Sequence, residues 1–557
     1  MNVVANIREA LARAAQSLEL DIPASDIPLE HTDDFTNGDY ASGIALSRAK
    51  AAGMPPKALA EKIVAALGAI DGVESIAIAG PGFINFFLAP KIFAEDIGVI
   101  HTAPEAWGKG DALSEKRIMM EYTDPNPFKE FHIGHLMSNA IGESIARLLE
   151  SSGAEVYRVN YQGDVGPHVA KAIWGIKKLG IDAHESAALG KAYAEGAQAY
   201  ESDPKAKEEI DVINARVYDK SDTEVNKLYT AGRKASLKHF EELYKMLGTK
   251  FDHYFFESET APRGIALVRS HADVFEQSDG AIVYKGEQEG LHTRVFITSK
   301  GLPTYETKDL GLAEMKTEVW PFDTSITITA HEQADYFRVV LAAMNNVLPA
   351  IAPKIRHVSH GMMRFAEGKM SSRTGNVITG ESLLHDLKEA AFVRAAETRA
   401  NDKELLAEKI AVGAIKYQIL RQASGKDIIF DRDHALSLDG DSGPYLQYTH
   451  ARTAQVVAKA RAEGVTSDIH VSTAPIELVR LVHRFPEIVA HAAALSEPHV
   501  VAQFLIELAA AFNRWYAQVH IVDGTAEAPH KVAIADAVRV TLQRGLWILG
   551  IAAPEKM

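Results

Sequence analysis

From about residue 116 onward, the sequence alternates short apolar runs typical of strands with helical stretches. The run Arg117–Tyr122 leads into a helical pattern over 133–149, and the run Glu155–Asn160 leads into another. Strands that alternate with helices in this way form a parallel sheet covered by those helices. The pattern therefore predicts an α/β fold class, with a Rossmann-type domain of the kind that binds nucleotides.

The rest of the chain differs from this core in pattern. Residues 1–110 mix helical stretches with short β-like runs and predict an N-terminal α+β domain. The α/β domain is expected over 111–380 with a helical insert at about 167–250, and the strand-poor segment 381–557 predicts an all-helical domain. We expect no membrane segment, because the longest uncharged run, 75–90, is shorter than the about 20 residues that span a bilayer.

Cysteine content and charge limit the chemistry. The chain has no cysteine, which excludes disulfides, thiolate zinc sites and cysteine nucleophiles and fits a reducing cytoplasm. Its net charge of −15 argues at first sight against a phosphate-rich partner. However, residues 441–557 contain ten basic and eleven acidic side chains, so the acidity lies almost entirely outside the helical domain.

The strongest local motif covers residues 121–135, where the first strand of the α/β domain turns into a helix. A helix N-terminus presents N–H groups and the positive end of a dipole to phosphate. Gly134 would let an adenine ring approach the backbone, and His132 and His135 could donate to phosphate oxygens. The motif therefore predicts an ATP site, the alternative being two helix-start histidines in a polar loop.

A second motif, 368–376, forms a glycine-flanked basic loop more than two hundred residues downstream. Its central residues are Lys369, Met370, Ser371, Ser372 and Arg373. A closing cationic loop suits the negative charge that builds on a reacting phosphate. Taken alone it would be an ordinary solvated turn, and its significance comes from its pairing with the first motif.

In this order, the two motifs resemble the HIGH and KMSKS signatures of class I aminoacyl-tRNA synthetases. Further blocks resemble arginyl-tRNA synthetase along almost the whole chain: 38–41, 80–86, 301–309, 443–452 and 545–557. The resemblance implies an arginine–tRNA ligase that uses ATP, accompanied by Mg²⁺, to activate L-arginine and transfers it to the 3′ end of tRNA(Arg), releasing AMP and pyrophosphate. It also implies activation that waits for tRNA. We expect a cytoplasmic monomer.

The resemblance assigns a set of arginine-binding positions, namely Glu121, Asp124, Asn126, Tyr305, Asp309 and Gln333. A guanidinium is planar and permanently charged, and paired carboxylates bind it best, so the acids in this set suit arginine. Such a site rejects analogues well enough to need no editing domain. Taken singly, these residues would be surface acids, a core tyrosine and an asparagine in an Asx turn.

Three positions depart from the family pattern. Ser372 stands where KMSKS has its second lysine, and the resemblance makes Lys129, upstream of His132, the substitute that stabilises the transition state. The alternative for Lys129 is a solvated loop lysine. Asp124 stands where the family often has serine, and Met137 stands where an arginine commonly follows the HIGH motif.

The predicted tRNA contacts are Tyr445, Arg452, Tyr516 and Met557. Stacking aromatics and arginine matter more than net charge in recognition of unpaired bases, and the alternative places the tyrosines in the bundle core. The N-terminal domain resembles the family's domain that touches the tRNA elbow.

The sequence allows further interpretations. Residues 331–335 resemble half of a zinc-protease HExxH signature, but the second ligand would be Asp335 and no third ligand is evident, so we expect no metal site. The glycine-rich segment 160–166 could be a ligand loop or a plain turn. The chain could also be a class I synthetase for another amino acid, or a non-catalytic tRNA-binding paralogue. A HIGH-type nucleotidyltransferase would not need the helical domain.

Overall fold

The computed structural model describes residues 3–365, 378–395, 402–468 and 476–557. The chain divides into two compact units, one of 1–108 with 449–488 and 507–544 and the other of 109–448 with 489–506 and 545–557. The described strands are β1 Glu30–His31, β2 Tyr40–Ser42, β3 Val73–Ala79, β4 Phe83–Leu88, β5 Arg117–Glu121, β6 Glu155–Gln162, β7 His253–Phe256, β8 Glu276–Ser278, β9 Ala281–Tyr284, β10 Arg294–Ile297, β11 Thr324–Ala330, β12 Ile355–His360, β13 Met363–Phe365 and β14 Ile428–Phe430.

The described α-helices cover most of the remaining chain. They are α1 Val3–Ser17, α2 Ile44–Arg48, α3 Pro56–Ala66, α4 Pro90–Thr102, α5 Ile133–Ser151, α6 Pro167–Leu179, α7 Ser186–Ser202, α8 Pro204–Asp219, α9 Thr223–Leu247, α10 Glu257–Ser270, α11 Tyr305–Val319, α12 Ala334–Val347, α13 Gly380–Ala395, α14 Lys403–Leu420, α15 Arg432–Ala435, α16 Gly443–Ala462, α17 Glu477–Leu495, α18 His499–Gln518 and α19 Ala528–Ile548. Within the described ranges, no helix is long and apolar enough to cross a membrane.

The first unit contains an antiparallel sheet in the order β1-β2-β4-β3. Gly38 precedes β2 with a φ of +92°, and a Cβ there would lie 2.7 Å from the Phe86 carbonyl oxygen. Only glycine tolerates both conditions. Next to it, Asp39 accepts the Leu88 N–H at 2.8 Å and forms an ion pair of 3.1 Å with Arg480 of α17. The 38–41 block thus joins this sheet to a helix of the same unit.

The second unit is built on a five-stranded parallel sheet in the order β12-β11-β5-β6-β7. Its central strand β5 is buried on both faces, with Met119 and Met120 both enclosed, as expected for a parallel sheet covered by helices on both sides. This confirms the predicted Rossmann-type α/β fold. Helices α6–α9 make up the segment predicted as an insert, and β8–β10 form a small antiparallel sheet.

The C-terminal part is helical, as predicted, with one short exception. Strand β14 pairs in parallel with β13, matching Ile428 to Met363 and Phe430 to Phe365. Three residues between turns are too few for a strand signal to stand out in the sequence. The domain boundaries at 110 and 380 stay predictions.

Candidate active site

The predicted site lies where the strand order of the parallel sheet reverses. From β5 the chain continues to β6 on one side, whereas β11 lies on the other side. Glu121 ends β5 and is paired in register with Thr327 of β11. A crevice opens at the carboxyl ends of strands at such a point, and ligands of open α/β sheets bind there. The loop between β5 and α5, residues 122–132, starts at this crevice.

Two stacked histidines cap the helix that follows this loop. The His135 N–H donates to His132 Nδ1 at 3.4 Å, and the His132 N–H donates to His135 Nδ1 at 3.2 Å. The ring centroids are 3.4 Å apart. Because both Nδ1 atoms accept hydrogen bonds, each neutral imidazole carries its proton on Nε2. The two rings are therefore arranged as Nε2–H donors.

The start of α5 leaves further donors open. A Cβ at Gly134 would lie 3.0 Å from the His132 ring, so the glycine makes room for the stacked imidazole. Among the described residues, the N–H groups of Ile133 and Gly134 have no hydrogen-bond partner. Unpaired N–H groups at a helix N-terminus bind anions. This geometry suits the predicted phosphate site.

Burial keeps both histidines neutral. It lowers the pKa of His132 and, more strongly, the pKa of His135, and the nearby positive charge of Lys129 lowers both further. The imidazoles therefore donate hydrogen bonds at neutral pH without adding charge. In the described part of the site, Lys129 supplies the positive charge next to them.

The acids predicted to bind arginine lie next to a lysine that the sequence did not predict. The carboxylate of Glu121 is buried, and its Oε2 lies 2.5 Å from Lys316 Nζ on α11. Lys316 also donates to Ser325 Oγ at 3.3 Å. Lys316 lies seven residues after Asp309, on the same helix face. Glu121 is thus already neutralised by one cation.

The remaining acids resist ionisation. Burial raises the pKa of Asp309 to about 7, and Tyr336 of α12, whose hydroxyl donates to Asp309 at 2.6 Å, opposes this rise. Burial and the charge of Glu121 raise the pKa of Asp124 well above its ordinary value. Asp124 accepts the Tyr161 N–H of β6 at 2.7 Å, so this departure from the family pattern fastens the β5–α5 loop to the neighbouring strand.

Asn126 lies against the carboxyl end of β6. A Cβ at Gly163 would lie 2.2 Å from Asn126 Oδ1 and 3.3 Å from Glu257 Oε1. Glu257 follows β7 and forms a buried ion pair of 2.5 Å with Lys308, the neighbour of Asp309. Gly163 therefore creates the space that brings Asn126 and Glu257 together, and the 160–166 segment is part of the site region rather than a remote turn.

Two predicted arginine-binding residues lie at the rim. Tyr305 begins α11 with 56% of its surface exposed, and Lys308 Nζ lies 4.8 Å from its ring centroid. Gln333 ends the 3₁₀ turn after β11 and is exposed. Both are at the same edge of the sheet as Glu121, but among the described residues neither forms a hydrogen bond to Glu121, Asp124 or Asp309. Tyr336, three residues beyond Gln333, makes the contact to Asp309 instead.

Other predicted residues lie elsewhere or outside the described ranges. Lys369, Met370, Ser371, Ser372 and Arg373 are all outside the described residues. In the first unit, the Arg452 guanidinium lies 5.1 Å from the ring centroid of Tyr516, which is 41% exposed. In the second unit, Tyr445 near the start of α16 and the terminal Met557 are half-buried.

The described residues contain one group of histidine and acids close enough to share a metal ion: His385, Asp386 and Glu389, all exposed on α13. An exposed group of this kind is common without an ion. The 331–335 segment does not belong to it.

Models of known protein families match nearly the whole chain. The "tRNA synthetases class I (R), catalytic domain" matches residues 105–432, more than half of the chain. The "Arginyl tRNA synthetase N terminal domain" matches residues 2–88, and the "DALR anticodon binding domain" matches residues 446–557.

Curated proteins and solved structures agree with these matches. An arginine–tRNA ligase of Treponema denticola is 31% identical over 86% of this chain and 85% of that protein, and one of Limosilactobacillus reuteri is 29% identical over 99% of both. The arginyl-tRNA synthetase structure of Thermus thermophilus matches 99% of both chains with a TM-score of 0.77 and 25% identity. The structure from Plasmodium falciparum, at 20% identity and a TM-score of 0.77, shares the fold. The chain belongs to the arginyl-tRNA synthetase family of class I aminoacyl-tRNA synthetases.

Proposed function

We propose that the crevice between β5 and β11 activates arginine with ATP and passes it to tRNA(Arg). In the first step, an arginine carboxylate oxygen attacks the α-phosphorus of ATP. The bond from this phosphorus to the oxygen bridging to the β-phosphate breaks, and pyrophosphate leaves. A ribose hydroxyl at the tRNA 3′ end then attacks the carbonyl carbon of arginyl-adenylate and its proton passes to solvent. The bond from this carbon to the phosphate oxygen breaks, and AMP leaves. The protein forms no covalent bond, so it acts by positioning and electrostatics.

The observation that carries this assignment is the charge balance of the buried acids. Four carboxylates lie near the crevice. Glu121 pairs with Lys316 and Glu257 pairs with Lys308. Asp124 and Asp309 form no ion pair with a described residue. Bound arginine brings a guanidinium and an α-ammonium. Two positive charges that enter beside two acids without a cation stabilise the charged forms of those acids, which burial otherwise disfavours.

Each predicted arginine-binding residue then has a role. Asp309 and Glu121 bind the guanidinium, and Asp124 with Asn126 binds the α-ammonium end. Tyr305 covers the entrance with its ring, and Gln333 completes the rim. The buried carboxylate of Glu121 and the hydrogen bond that fixes the half-buried Asp309 support the first pair, and the proximity of Asn126 to Gly163 supports the second.

The start of α5 binds the triphosphate. The Nε2–H groups of His132 and His135 and the open N–H groups of Ile133 and Gly134 are neutral donors, and Lys129 adds the charge that the α-phosphate needs as the transition state forms. We propose that Lys369, Met370, Ser371, Ser372 and Arg373, which lie outside the described residues, also act on the bound nucleotide. Ser372 has no charge, so Lys129 takes the place of the second KMSKS lysine.

ATP enters as its Mg²⁺ complex. Magnesium prefers oxygen ligands, whereas the residues at the start of α5 offer nitrogen donors, so the ion stays on the phosphate oxygens and water. We also propose that Tyr445, Arg452, Tyr516 and Met557 contact tRNA(Arg). The exposed ring of Tyr516 beside the Arg452 guanidinium supports base stacking there. A monomeric state and a cytoplasmic location remain predictions.

The decisive experiment is aminoacylation of total tRNA with each of the twenty amino acids. Only arginine should be attached, and adenylate formation should be slow without tRNA. Attachment of another amino acid, or of none, would contradict the proposal. Lys129→Ala should slow adenylate formation far more than it weakens arginine binding.

A further inference from the structure

The β5–α5 loop has a backbone that most side chains avoid. Thr123, Asp124 and Phe128 have φ values of +80°, +45° and +69°. Non-glycine residues rarely adopt this left-handed region, and they stay there only when the surrounding structure holds them. Contacts outside the loop must therefore keep it in this shape.

The helical insert provides these contacts through Phe128. Its side chain is buried in the hydrophobic cluster of the insert helices, which includes Val169 and Ile173. The Phe128 N–H donates to Ser236 Oγ on α9 at 2.9 Å, and a Cβ at Gly232 would lie 2.2 Å from the Phe128 ring. The loop is thus fastened to α9 by one buried ring and one buried hydrogen bond.

Helix α7 of the insert contacts Lys129 and Glu130, which follow Phe128 in the loop. A Cβ at Gly190 would lie 2.9 Å from Glu130 Cγ, so the helix backbone passes close to the loop. Three residues later, Tyr193 presents its ring to Lys129, whose Nζ lies 5.0 Å from the ring centroid. Residues three apart share a helix face. Gly190 and Tyr193 therefore contact Glu130 and Lys129 side by side.

A ring and a carboxylate would hold this lysine in different ways. An acid would neutralise the ammonium, whereas an aromatic face attracts it and leaves its full charge available to a phosphate. Among the described residues, no carboxylate forms an ion pair with Lys129, although Glu130 is its neighbour in sequence. The Tyr193 ring therefore holds the lysine without pairing its charge with an acid.

We propose that Tyr193 is a positioning residue for adenylate formation and holds the Lys129 ammonium toward the α-phosphate site. The helical insert would thus fix the position of the catalytic cation. This inference rests on the role proposed above for Lys129. It assigns the insert a function in the first reaction step.

The test is a double-mutant cycle read out by single-turnover adenylate formation in the presence of tRNA. Tyr193→Ala should lower the rate about tenfold with little change in the KM for arginine, and Tyr193→Phe should restore most of it because the ring remains. In a Lys129→Ala background, Tyr193→Ala should have no further effect, because the group it positions is gone.

Tyr200→Ala is the matched control. Tyr200 lies on the same helix, packs against the same cluster and also faces a lysine, with Lys171 Nζ 4.2 Å from its ring, but that lysine is not in the loop. The rate should stay near that of the parent enzyme. An equal loss in Tyr200→Ala, or an equal effect of Tyr193→Ala with and without Lys129, would overturn the role of Tyr193. A full rate in Lys129→Ala alone would instead overturn the proposed role of Lys129.

Discussion

The hydroxyl of Tyr336 donates a 2.6 Å hydrogen bond to Asp309, which joins α12 to α11 at the predicted guanidinium site. Burial raises the pKa of Asp309 to about 7, and this hydrogen bond keeps it from rising further. The carboxyl group is therefore divided between its charged and neutral forms at neutral pH when the site is empty. A cation that binds to the charged carboxylate of Asp309 therefore causes release of its proton.

Arginine binding should strengthen with pH. Below pH 7 the guanidinium must displace the proton of Asp309, so the Kd for arginine should rise at least about tenfold for each pH unit below 7. The pKa of Asp124 is raised as well, so release of its proton adds to this dependence. Isothermal titration between pH 5.5 and 8.5, with tRNA present, measures this dependence and the proton released. A constant Kd over that range would contradict the assignment.

Two variants serve as controls for this pH profile. Asp309→Asn should bind arginine weakly because the carboxylate is gone, and the dependence on pH should be shallower because no proton is exchanged at this position. Tyr336→Phe removes the hydrogen bond that lowers the pKa of Asp309, so its profile should move to higher pH without changing shape.

Lys316→Met should destabilise the protein strongly. The variant leaves the Glu121 carboxylate buried without its cation, which costs about 3–5 kcal/mol for a pair of this kind. Adding Glu121→Gln should recover most of the free energy of unfolding but not arginine binding, since the guanidinium then lacks one of its two carboxylates. Urea unfolding and arginine titration separate the two effects. An unchanged urea midpoint in Lys316→Met would be evidence against a buried pair.

Gly163→Ala should raise the KM for arginine. The added methyl group would lie 2.2 Å from Asn126 Oδ1, so the asparagine must move by about 1 Å, and such a shift can lower kcat/KM about 100-fold. Gly110→Ala is the matched control, because nothing lies within 4 Å of the Cβ position there. Steady-state kinetics at fixed tRNA and ATP report the difference. Equal KM values in the two variants would place Asn126 outside the arginine site.

Tyr516→Ala should weaken tRNA binding alone. Loss of a ring that stacks on a base costs about 1–3 kcal/mol, which corresponds to a rise of roughly 5- to 150-fold in the KM for tRNA. The KM for arginine should stay unchanged, and Tyr516→Phe should behave like the parent enzyme. A normal KM for tRNA in the alanine variant would indicate that Tyr516 packs in the helical bundle and does not bind tRNA.

Local pattern was enough to predict part of this site. The end of β5 and the start of α5 are marked by an apolar run followed by polar residues, so the positions of Glu121 and His132 could be read from the sequence. Lys316 could also have been predicted, because it lies seven residues after Asp309 and so shares a helix face with it. The acids were predicted because they match a guanidinium, whereas their counter-ions were not predicted.

Other contacts depend on chain topology. Tyr336 reaches Asp309 only because α12 packs on α11, and Glu257 reaches Asn126 only because β7 lies beside β6. Neither relation leaves a periodic signal in sequence. The reciprocal caps of His132 and His135 were likewise missed, since the motif suggested ligand donors and gave no reason to expect that each ring would also cap the helix.

The attachment of Phe128 to α9 also constrains how the protein is made. The hydrogen bond from Phe128 to Ser236 spans 108 residues, so the loop leaves the ribosome long before its support is synthesised. The β5–α5 loop of a nascent chain gains this support only when α9 has emerged and packed. A chain that ends before α9 therefore lacks the contacts that hold the loop in its left-handed backbone conformation.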